Sequence, residues 1–499
     1  SIDTIKKYLK ARRDGLATIA QSYYNYLKRF EVVIGTEDDD EFLITRKPNG
    51  ETHITITQDS VIFENSYYAD QTKEIWVYGL DGNDTFEVTG DGNKPVNIKV
   101  IGGKKNDTYD FKSVKKVKLY DYESKDNTIV NPKSRKWLTD SYTVNTYDYL
   151  KRKYHENILY PSGGYDGDTG FRIGLKDRFT TYGLANNPFQ AQHTLGAEYY
   201  FATNGFSVDY NGEFANVFHE WNLGLDLRYT SPNFTMNYFG AGNNSPYDTS
   251  LDRDYNRVRI RQWQISPYLE HGSGGSQLYL RPGLESYDVS NDDDRYVGQV
   301  FASDNDVYEP QLYASAEAGY SYKNMNDPAF PNRAMNFDIS IGYKSNISGQ
   351  ENQFGYVKPS LSFIYPLHPS GIAVIATKVA GETVLGDNYE FYHGALLGGN
   401  KSLRAYRNER FNGKSAFYQS TDLRVGVSRF RTDFVPLQIG VSAGFDYGRV
   451  WLADDGSSKW KNNFGGSVWV TGFSAFTGNL GLYHGDEGSR LLFSFGFNF

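Results

Sequence analysis

The segment Trp221-Asn222-Leu223-Gly224-Leu225-Asp226-Leu227-Arg228-Tyr229 alternates large apolar residues with small or polar ones along its whole length. Successive side chains of a β-strand point to opposite faces, so this segment predicts a strand with one apolar and one polar face. About sixteen such segments follow one another between Thr169 and Phe499, the first over 169–178, the fifth over 233–241 and the last over 489–499. This alternation is typical of a transmembrane β-barrel, whose strands face lipid on one side and water on the other.

The connections between these segments support a barrel in the outer membrane. The long connections follow odd-numbered segments and cover residues 242–254, 288–308, 383–414 and 450–462. Outer-membrane barrels place long loops outside the cell and short turns in the periplasm, whereas a soluble β-protein has no reason to sort its connections in this way. The sequence therefore predicts an all-β fold: an antiparallel transmembrane β-barrel of about sixteen strands over 169–499, surrounded by outer-membrane lipid.

Composition agrees with a membrane barrel and excludes other classes. The chain of 499 residues has 41 Tyr and 32 Phe, yet its mean hydropathy is −0.59. No apolar run approaches the roughly 20 residues of a membrane-spanning helix. The net charge of −8, without a basic patch, argues against a nucleic-acid partner. The 8 histidines are scattered and no serine nucleophile elbow is present, so we predict neither an enzyme nor a bound cofactor.

Three parts precede the predicted barrel. Apolar residues three or four apart over 1–30 predict an amphipathic helix; packing on the following domain is the ordinary interpretation, and lying on a membrane surface is the alternative. Residues 31–135 change to short β segments separated by Gly, Asn and Asp, which predicts a small periplasmic β-rich domain of the solenoid or sandwich type. Residues 136–168 are a tyrosine-rich connector.

Two similar stretches within 31–135 contain candidate calcium ligands. Lys73 to Val88 reads KEIWVYGLDGNDTFEV, and Val96 to Phe111 reads VNIKVIGGKKNDTYDF. Both partly match the nonapeptide of calcium-binding β-rolls, in which Asp84 and Asp107 would supply carboxylate ligands. Because the copies are few and incomplete, we favour the other interpretation, in which these Asp residues form Asx-type turns between stacked rungs.

The longest connection holds the candidate functional residues. It contains Gly398-Gly399-Asn400-Lys401-Ser402-Leu403-Arg404-Ala405-Tyr406, in which a Gly-Gly turn leads to one arginine. The apolar residues around Asp422 and Asp446 alternate so that both carboxylates point into the barrel. A planar guanidinium on a loop that folds into the lumen can bridge two carboxylates, which a lysine cannot. The predicted site comprises Gly398, Gly399, Arg404, Tyr406, Asp422 and Asp446.

In order and position these motifs resemble the signature of the BamA/TamA-type bacterial surface antigen superfamily, which includes the two-partner secretion transporters. The residues that carry the resemblance are the loop stretch above, Thr421-Asp422-Leu423-Arg424 and Gly444-Phe445-Asp446-Tyr447-Gly448-Arg449-Val450-Trp451. The resemblance implies a barrel whose sixth extracellular loop enters the lumen. It also implies a role in inserting or translocating polypeptide or lipid clients at the outer membrane, with accessory envelope proteins as further partners. Ala405 stands where the family usually has Gly, which would strain a backbone of positive φ.

The N-terminal region departs from that family pattern. The resemblance implies periplasmic POTRA domains of alternating helix and strand, which residues 1–135 do not show. This region looks like the linker of surface-antigen barrels that follow a calcineurin-like phosphoesterase in Bacteroidota-type bacteria, although no phosphoesterase metal motif is present. The alternative function is therefore a membrane anchor for a periplasmic domain, in particular a metallophosphoesterase encoded upstream of Ser1. A diffusion porin is a third interpretation, which an inserted loop disfavours.

The ends of the barrel segments predict a lateral seam. A closed barrel must pair its first strand with its last, and we expect this pairing between 169–178 and 489–499. Aromatic residues of the two segments mark the seam, and the final aromatic resembles the signal that envelope machinery recognises in barrel proteins. The seam residues are Phe171, Phe495, Phe497 and Phe499.

Overall fold

The computed structural model describes residues 2–186, 188–218, 220–327, 330–433, 435–453, 455–472 and 476–495. The chain divides into two compact units, Ser1–Lys153 and Tyr154–Phe499. Within the described ranges, none of the helices combines the length and the apolar character needed to cross a membrane.

The N-terminal unit begins with a long helix and continues as two β-sheets. Its elements are α1 (Ile2–Leu27), β1 (Phe30–Ile34), β2 (Glu41–Arg46), β3 (Glu51–Thr57), β4 (Val61–Tyr68), β5 (Glu74–Leu80), β6 (Thr85–Thr89), β7 (Asn97–Gly103), β8 (Thr108–Phe111), β9 (Val117–Asp121), β10 (Thr128–Ile129), β11 (Arg135–Leu138) and α2 (Tyr142–Asn145). The sheets have the orders β1-β5-β7-β9-β11 and β10-β8-β6-β2-β3-β4. From β5 to β10 successive strands alternate between the sheets and pair in parallel with the strand two places along, so the unit stacks short repeated rungs.

Equivalent positions of the rungs stack on one another. In the core between the sheets, the Phe86 ring stacks on Phe42 and on Tyr109, with centroid distances of 4.4 and 5.3 Å. Each of these aromatic residues follows its rung's aspartate by two positions. The repeated Asp-x-aromatic pattern is therefore the sequence signal of the stack.

The aspartates themselves form a hydrogen-bonded ladder. The Asp40 N–H donates to Asp84 Oδ1, the Asp84 N–H to Asp107 Oδ1, and the Asp107 N–H to Asn127 Oδ1, each at 2.8 Å. Burial raises the pKa of Asp84 to about 8 and that of Asp107 to about 6. The carboxylates of the two calcium candidates thus accept hydrogen bonds from backbone N–H groups of neighbouring rungs. The described residues contain no group of three or more His, Cys, Asp or Glu side chains placed to hold a metal ion.

Helix α1 exposes its apolar face. Ile5, Leu9, Leu16 and Ile19 are between 58% and 64% exposed. The interpretation that this helix packs on the following domain is wrong, because the apolar periodicity specifies a face and not the surface that covers it.

The C-terminal unit is a closed antiparallel barrel. Its elements are β12 (Glu156–Asp166), β13 (Gly170–Thr181), β14 (Ala191–Tyr200), β15 (Gly205–Phe218), β16 (Trp221–Thr230), β17 (Thr235–Asn237), β18 (Arg257–Ser273), β19 (Ser276–Val289), α3 (Tyr296–Val300), β20 (Gln311–Met325), β21 (Ala334–Asn346), β22 (Gln353–Pro366), β23 (Ala373–Asn388), β24 (Ala395–Leu397), β25 (Phe411–Gly413), β26 (Ser415–Arg431), β27 (Pro436–Trp451), β28 (Lys461–Gly472), β29 (Phe476–Gly485) and β30 (Gly488–Phe495). Sixteen of these strands close the barrel, which confirms the predicted fold class; the short β17 forms a ladder with β18, and β24 pairs with β25.

Two strand assignments differ from the prediction although the total agrees. The first barrel strand, β12, lies inside the predicted connector 136–168 and pairs with β13 from Glu156 to Asp166. Its Pro161 and the Gly163-Gly164 pair interrupt the alternation that marks the other strands. The fifth predicted segment, 233–241, supplies only β17, and β16 pairs directly with β18. Its apolar residues pack instead against the long loops.

The outward face of the barrel is apolar. Phe171, Ile173 and Leu175 on β13 are between 56% and 67% exposed, and the alternate residues of the strand face inward. The same alternation on β26 and β27 exposes Leu423 and Phe445 and buries their polar neighbours. Lipid would cover this apolar face, as expected for a transmembrane barrel.

Candidate functional site

The connection from β23 to β26 returns towards the barrel wall as a short hairpin. Strands β24 and β25 form its stem, and the glycines of the predicted site lie just beyond β24 with φ values of 122° at Gly398 and 80° at Gly399. A Cβ atom at Gly398 would collide with the carbonyl oxygen of Arg407. The turn is closed by Ser402, whose Oγ accepts from the Gly398 N–H at 2.9 Å. The Gly-Gly pair therefore supplies the backbone conformation that turns the chain towards Arg404.

The structure brings Arg404 against both predicted carboxylates. Arg404 Nη1 lies 2.7 Å from Asp422 Oδ1, and its Nη2 and Nε lie 2.5 Å from Asp446 Oδ1 and 2.8 Å from Asp446 Oδ2. The Arg404 N–H also donates to Asp446 Oδ2, at 3.2 Å. Arg404 is 4% exposed and Asp446 0%, so these ion pairs are shielded from solvent. We call Arg404, Asp422 and Asp446 the clamp.

Further side chains complete the electrostatics of the clamp. Tyr483 on β29 accepts from Arg404 Nη1 at 2.6 Å, and the guanidinium lies 4.1 Å from the centre of the same ring. The Asn463 side chain donates to Asp446 Oδ2 at 2.7 Å, and Arg424 Nη2 donates to Asp422 Oδ2 at 3.3 Å. Two buried cations thus face two buried anions, a balance that limits the cost of removing these charges from water.

The residues that follow Arg404 anchor the loop by packing. Tyr406 is 1% exposed, its ring lies 5.3 Å from that of Phe411, and its hydroxyl donates to the Asn462 carbonyl oxygen at 3.2 Å. Ala405 has no positive φ, so alanine introduces no strain there, contrary to the concern raised by the family's usual glycine. Its N–H donates to Asn463 Oδ1 at 3.3 Å.

The lateral seam does not lie where the sequence predicted it. Strand β30 pairs with β12 at Tyr165↔Phe493, the one register position described between them, whereas it pairs with β29 from Gly478↔Phe495 to Gly485↔Gly488. Phe171 is on β13, the second strand, so its assignment to the seam is wrong. Its ring contacts that of Tyr165, at 4.9 Å.

The aromatic residues of the last strand are described in part. Phe495 lies on β30 and is 64% exposed. Phe497 and Phe499 lie outside the described residues.

The same loop reaches both strands of the seam. Arg490 on β30 donates to Asp166 Oδ2 at 2.8 Å, to the Tyr406 carbonyl oxygen at 2.8 Å and to Asn408 Oδ1 at 3.1 Å. Asn408 in turn donates to Asp166 Oδ1 at 3.0 Å and to Asp168 Oδ2 at 2.8 Å. We call Asp166, Asp168, Asn408 and Arg490 the seam junction.

Two neighbouring arginines of the loop reinforce the seam junction. Arg407 Nε lies 2.5 Å from Asp168 Oδ1, and Arg410 Nε lies 2.8 Å from Glu487 Oε1 in the turn between β29 and β30. Ion pairs from the loop therefore hold the first and last strands together, in addition to the backbone pairing between these strands.

Comparison with known families and structures identifies the chain. Residues 93–498 match the family described as the Omp85 superfamily domain. The chain belongs to the Omp85 superfamily. This confirms the BamA/TamA-type resemblance and places the barrel in the outer membrane. No sequence among the curated proteins compared matches the chain.

One solved structure has a similar fold, and two others are similar at lower TM-scores. BamA from Haemophilus ducreyi lacking POTRA domains 1–3 is similar with a TM-score of 0.50 and 17% identity, over 69% of this chain and 70% of that one. CdiB from Escherichia coli is similar with a TM-score of 0.44 and 13% identity, over 68% of this chain and 62% of that one. CdiB from Acinetobacter baumannii has a TM-score of 0.43 and 13% identity, over 69% and 59%.

The sequence pointed to the clamp of this Omp85 barrel but not to the seam junction. Asp166 and Asp168 lie in the predicted connector 136–168, and Arg490 lies in the predicted terminal strand 489–499 without a role of its own. The available signal was the Asp166-Gly167-Asp168 turn directly before a strand, together with an arginine on the inward face of the last strand.

A polar space remains in the Omp85 lumen beside the loop stem. A cavity of about 320 Å³ is lined by charged pairs, with Lys344 Nζ 2.6 Å from Glu285 Oε2 and Lys358 Nζ 2.7 Å from Glu382 Oε1. The buried side chain of His393, next to β24, also lines it. The lumen thus keeps a hydrophilic space next to the stem of the loop.

Proposed function

We propose that this Omp85 barrel inserts polypeptide or lipid clients into the outer membrane or translocates them across it, and that the Arg404 loop holds the closed state until a client engages. The observation that carries the proposal is that one loop makes both the clamp and the loop side of the seam junction. Release of a single element would therefore change the lumen and the seam together.

The clamp makes the loop a discrete two-position element. Its ion pairs are buried, so removing the guanidinium leaves two carboxylates uncompensated except by Arg424. Breaking a buried pair in this way costs roughly 3–5 kcal/mol. A loop held by such contacts is either seated or released, because an intermediate position would leave the charges without partners and without water.

The seam junction transmits the position of the loop to the barrel wall. Arg490 has its guanidinium shared between Asp166, across the seam, and two groups of the loop. When the loop leaves, Arg490 loses the Tyr406 carbonyl and the Asn408 side chain, and Asp168 loses Arg407. The remaining ion pairs of Arg490 with Asp166 and Asp168 then become accessible to water, where an ion pair contributes about 0–1 kcal/mol.

The need for the loop distinguishes this proposal from the anchor function. The N-terminal unit has a hydrophobic core of its own, which supports a domain held at the membrane by the barrel. An anchor needs the barrel to be stable but does not need a loop that bridges the lumen and the seam. Loop variants that leave the barrel folded would therefore have no effect on an anchor.

The test is single-channel conductance of the whole chain in planar bilayers, with Arg404→Ala compared with Lys401→Ala. Lys401 is an exposed cation of the same loop, so its loss removes charge without touching the clamp. We expect transient conductance steps with Arg404→Ala and none with Lys401→Ala. Equal conductance of both variants and the wild type would contradict the proposal, and steady conductance of the wild type would favour a porin.

A further inference from the structure

The apolar face of α1 forms an exposed stripe that is interrupted once, at Arg12. Its five central side chains are between 58% and 64% exposed, and their positions repeat at the three- and four-residue spacings of one helix face. These side chains are Ile5, Leu9, Leu16, Ile19 and Tyr23. The described part of the N-terminal unit leaves this stripe open to solvent, so the helix has a second surface still to contact.

The charge of α1 is opposite to that of the chain. Between Ile2 and Leu27 there are five basic residues and two acidic ones, Asp3 and Asp14, which gives +5 − 2 = +3, against −8 for the whole chain. The basic residues all lie in the first half of the helix and are exposed. They are Lys6, Lys7, Lys10, Arg12 and Arg13. A surface that attracts this helix is therefore anionic.

The position of Arg12 distinguishes a bilayer from a protein helix as that surface. Arg12 occupies a place within the apolar stripe, between Leu9 and Leu16. In an interface between two helices, the charge of Arg12 would have to be buried, which costs several kcal/mol without a partner. At a bilayer surface the long side chain extends to the lipid phosphates while its stem stays in the apolar layer.

The other features of α1 agree with an interfacial helix. The helix is slightly polar on average and has a polar face rich in Lys and Arg, a combination that characterises helices lying in the plane of a membrane. Tyrosines such as Tyr8 and Tyr23 suit the headgroup layer, since their rings are apolar and their hydroxyls polar. The barrel of the same chain resides in a bilayer, so the covalent connection raises the effective concentration of a lipid surface around α1.

We propose that α1 binds the surface of a bilayer containing anionic lipid, with Ile5, Leu9, Leu16 and Ile19 in the acyl boundary and the lysines over the headgroups. The inference is independent of the proposed function of the loop, because it involves no residue of the barrel.

The chain has no cysteine, which permits a direct test with the full protein. Leu9→Cys on the stripe and Asp14→Cys on the polar face each carry a polarity-sensitive fluorophore, in nanodiscs of phosphatidylcholine alone or with phosphatidylglycerol. In the anionic discs we expect blue-shifted emission from position 9, quenched by brominated lipid, and water-like emission from position 14. In discs of phosphatidylcholine alone the shift at position 9 is expected to be smaller.

Charge reversal provides the second arm of the test. With Lys6, Lys7 and Lys10 all replaced by Glu, the equilibrium should move towards free helix by on the order of a hundredfold, from about 1 kcal/mol for each cation near an anionic surface. Water-like emission from position 9 in anionic discs would overturn the proposal. So would a blue shift without quenching by brominated lipid, or one that requires two copies in one disc, since either would assign the stripe to protein contact.

Discussion

Replacing Arg404 by lysine tests whether the clamp depends on the geometry of the guanidinium or only on its charge. Arginine reaches Asp422 through Nη1 and Asp446 through Nη2 and Nε. A single ammonium keeps the positive charge but cannot span both carboxylates in this arrangement. The variant Arg404→Lys therefore retains one ion pair and loses the bridge.

The expected cost follows from the contacts that disappear. A hydrogen bond to a charged group contributes roughly 1.5–3 kcal/mol, and the lysine loses at least two of them. A loss of about 3 kcal/mol raises the population of the released loop by on the order of a hundredfold, since each 1.4 kcal/mol is a factor of ten.

Amide hydrogen exchange of the loop measures that population directly. The N–H groups of Arg404 and Ala405 donate to Asp446 and Asn463, so they exchange only when the loop leaves the wall. We expect their exchange to accelerate on the order of a hundredfold in Arg404→Lys and to stay unchanged in Lys401→Arg. If Arg404→Lys exchanges as slowly as the wild type, the bridged geometry is not what holds the loop.

Three further predictions concern the seam, the turn and the N-terminal unit. Arg490→Gln removes the cation shared between Asp166 and the loop, so exchange of the loop amides should rise while Arg429→Gln, at an exposed strand end, leaves it unchanged. Gly398→Ala adds a Cβ at a φ of 122°, and semi-native electrophoresis should show a lower melting temperature of the folded barrel than for Gly456→Ala, which has open space around it. In the N-terminal unit, burial raises the folded-state pKa of Asp84 to about 8, above its value in the unfolded chain, so folding favours the protonated carboxyl. The stabilisation that this protonation gives is lost as pH rises towards 8. Exchange of β6 and β8 amides, corrected for the intrinsic pH dependence of exchange, should therefore report a less stable unit at pH 9 than at pH 5, and Asp84→Asn should reduce the difference.

Strand parity is the reason that the clamp could be predicted from the sequence. Once β26 and β27 are recognised as strands, the exposed Leu423 and Phe445 require Asp422 and Asp446 to point inward. In the longest connection an arginine follows a pair of glycines and precedes an aromatic residue, and its guanidinium can then contact both carboxylates. Local alternation was enough for the inward direction of the two carboxylates, whereas the entry of the loop into the lumen was what the family resemblance implied.

The seam could not be predicted in the same way. Strand β12 carries Pro161 and two adjacent glycines, which are tolerated at the edge where a barrel closes but remove the alternation that identifies a strand. The junction between Asp166 and Arg490 joins residues at opposite ends of the barrel sequence, and no spacing within one segment reports such a pair. Segment 233–241 shows the converse, because its alternation arises from packing against loops and not against lipid.

The exposure of α1 was also beyond the sequence pattern. A periodicity of three and four identifies which residues share a face, but it is the same for a face covered by a domain and for one that contacts lipid. The exposure of the Leu9 and Leu16 side chains distinguishes these cases, and it is known only once the surrounding strands are in place.

In the proposed function, one loop closes both the lumen and the seam. Tyr165 and Phe493 are register partners across the seam, and antiparallel partners lie about 4.5–5.5 Å apart at Cα, within the range that a disulfide spans. In the cysteine-free chain we would introduce Tyr165→Cys and Phe493→Cys together with Arg404→Ala and record single-channel conductance before and after reduction. The account predicts that the conductance steps caused by Arg404→Ala are absent while the seam is crosslinked and return when the disulfide is reduced. Steps of the same size and frequency in both states would contradict it.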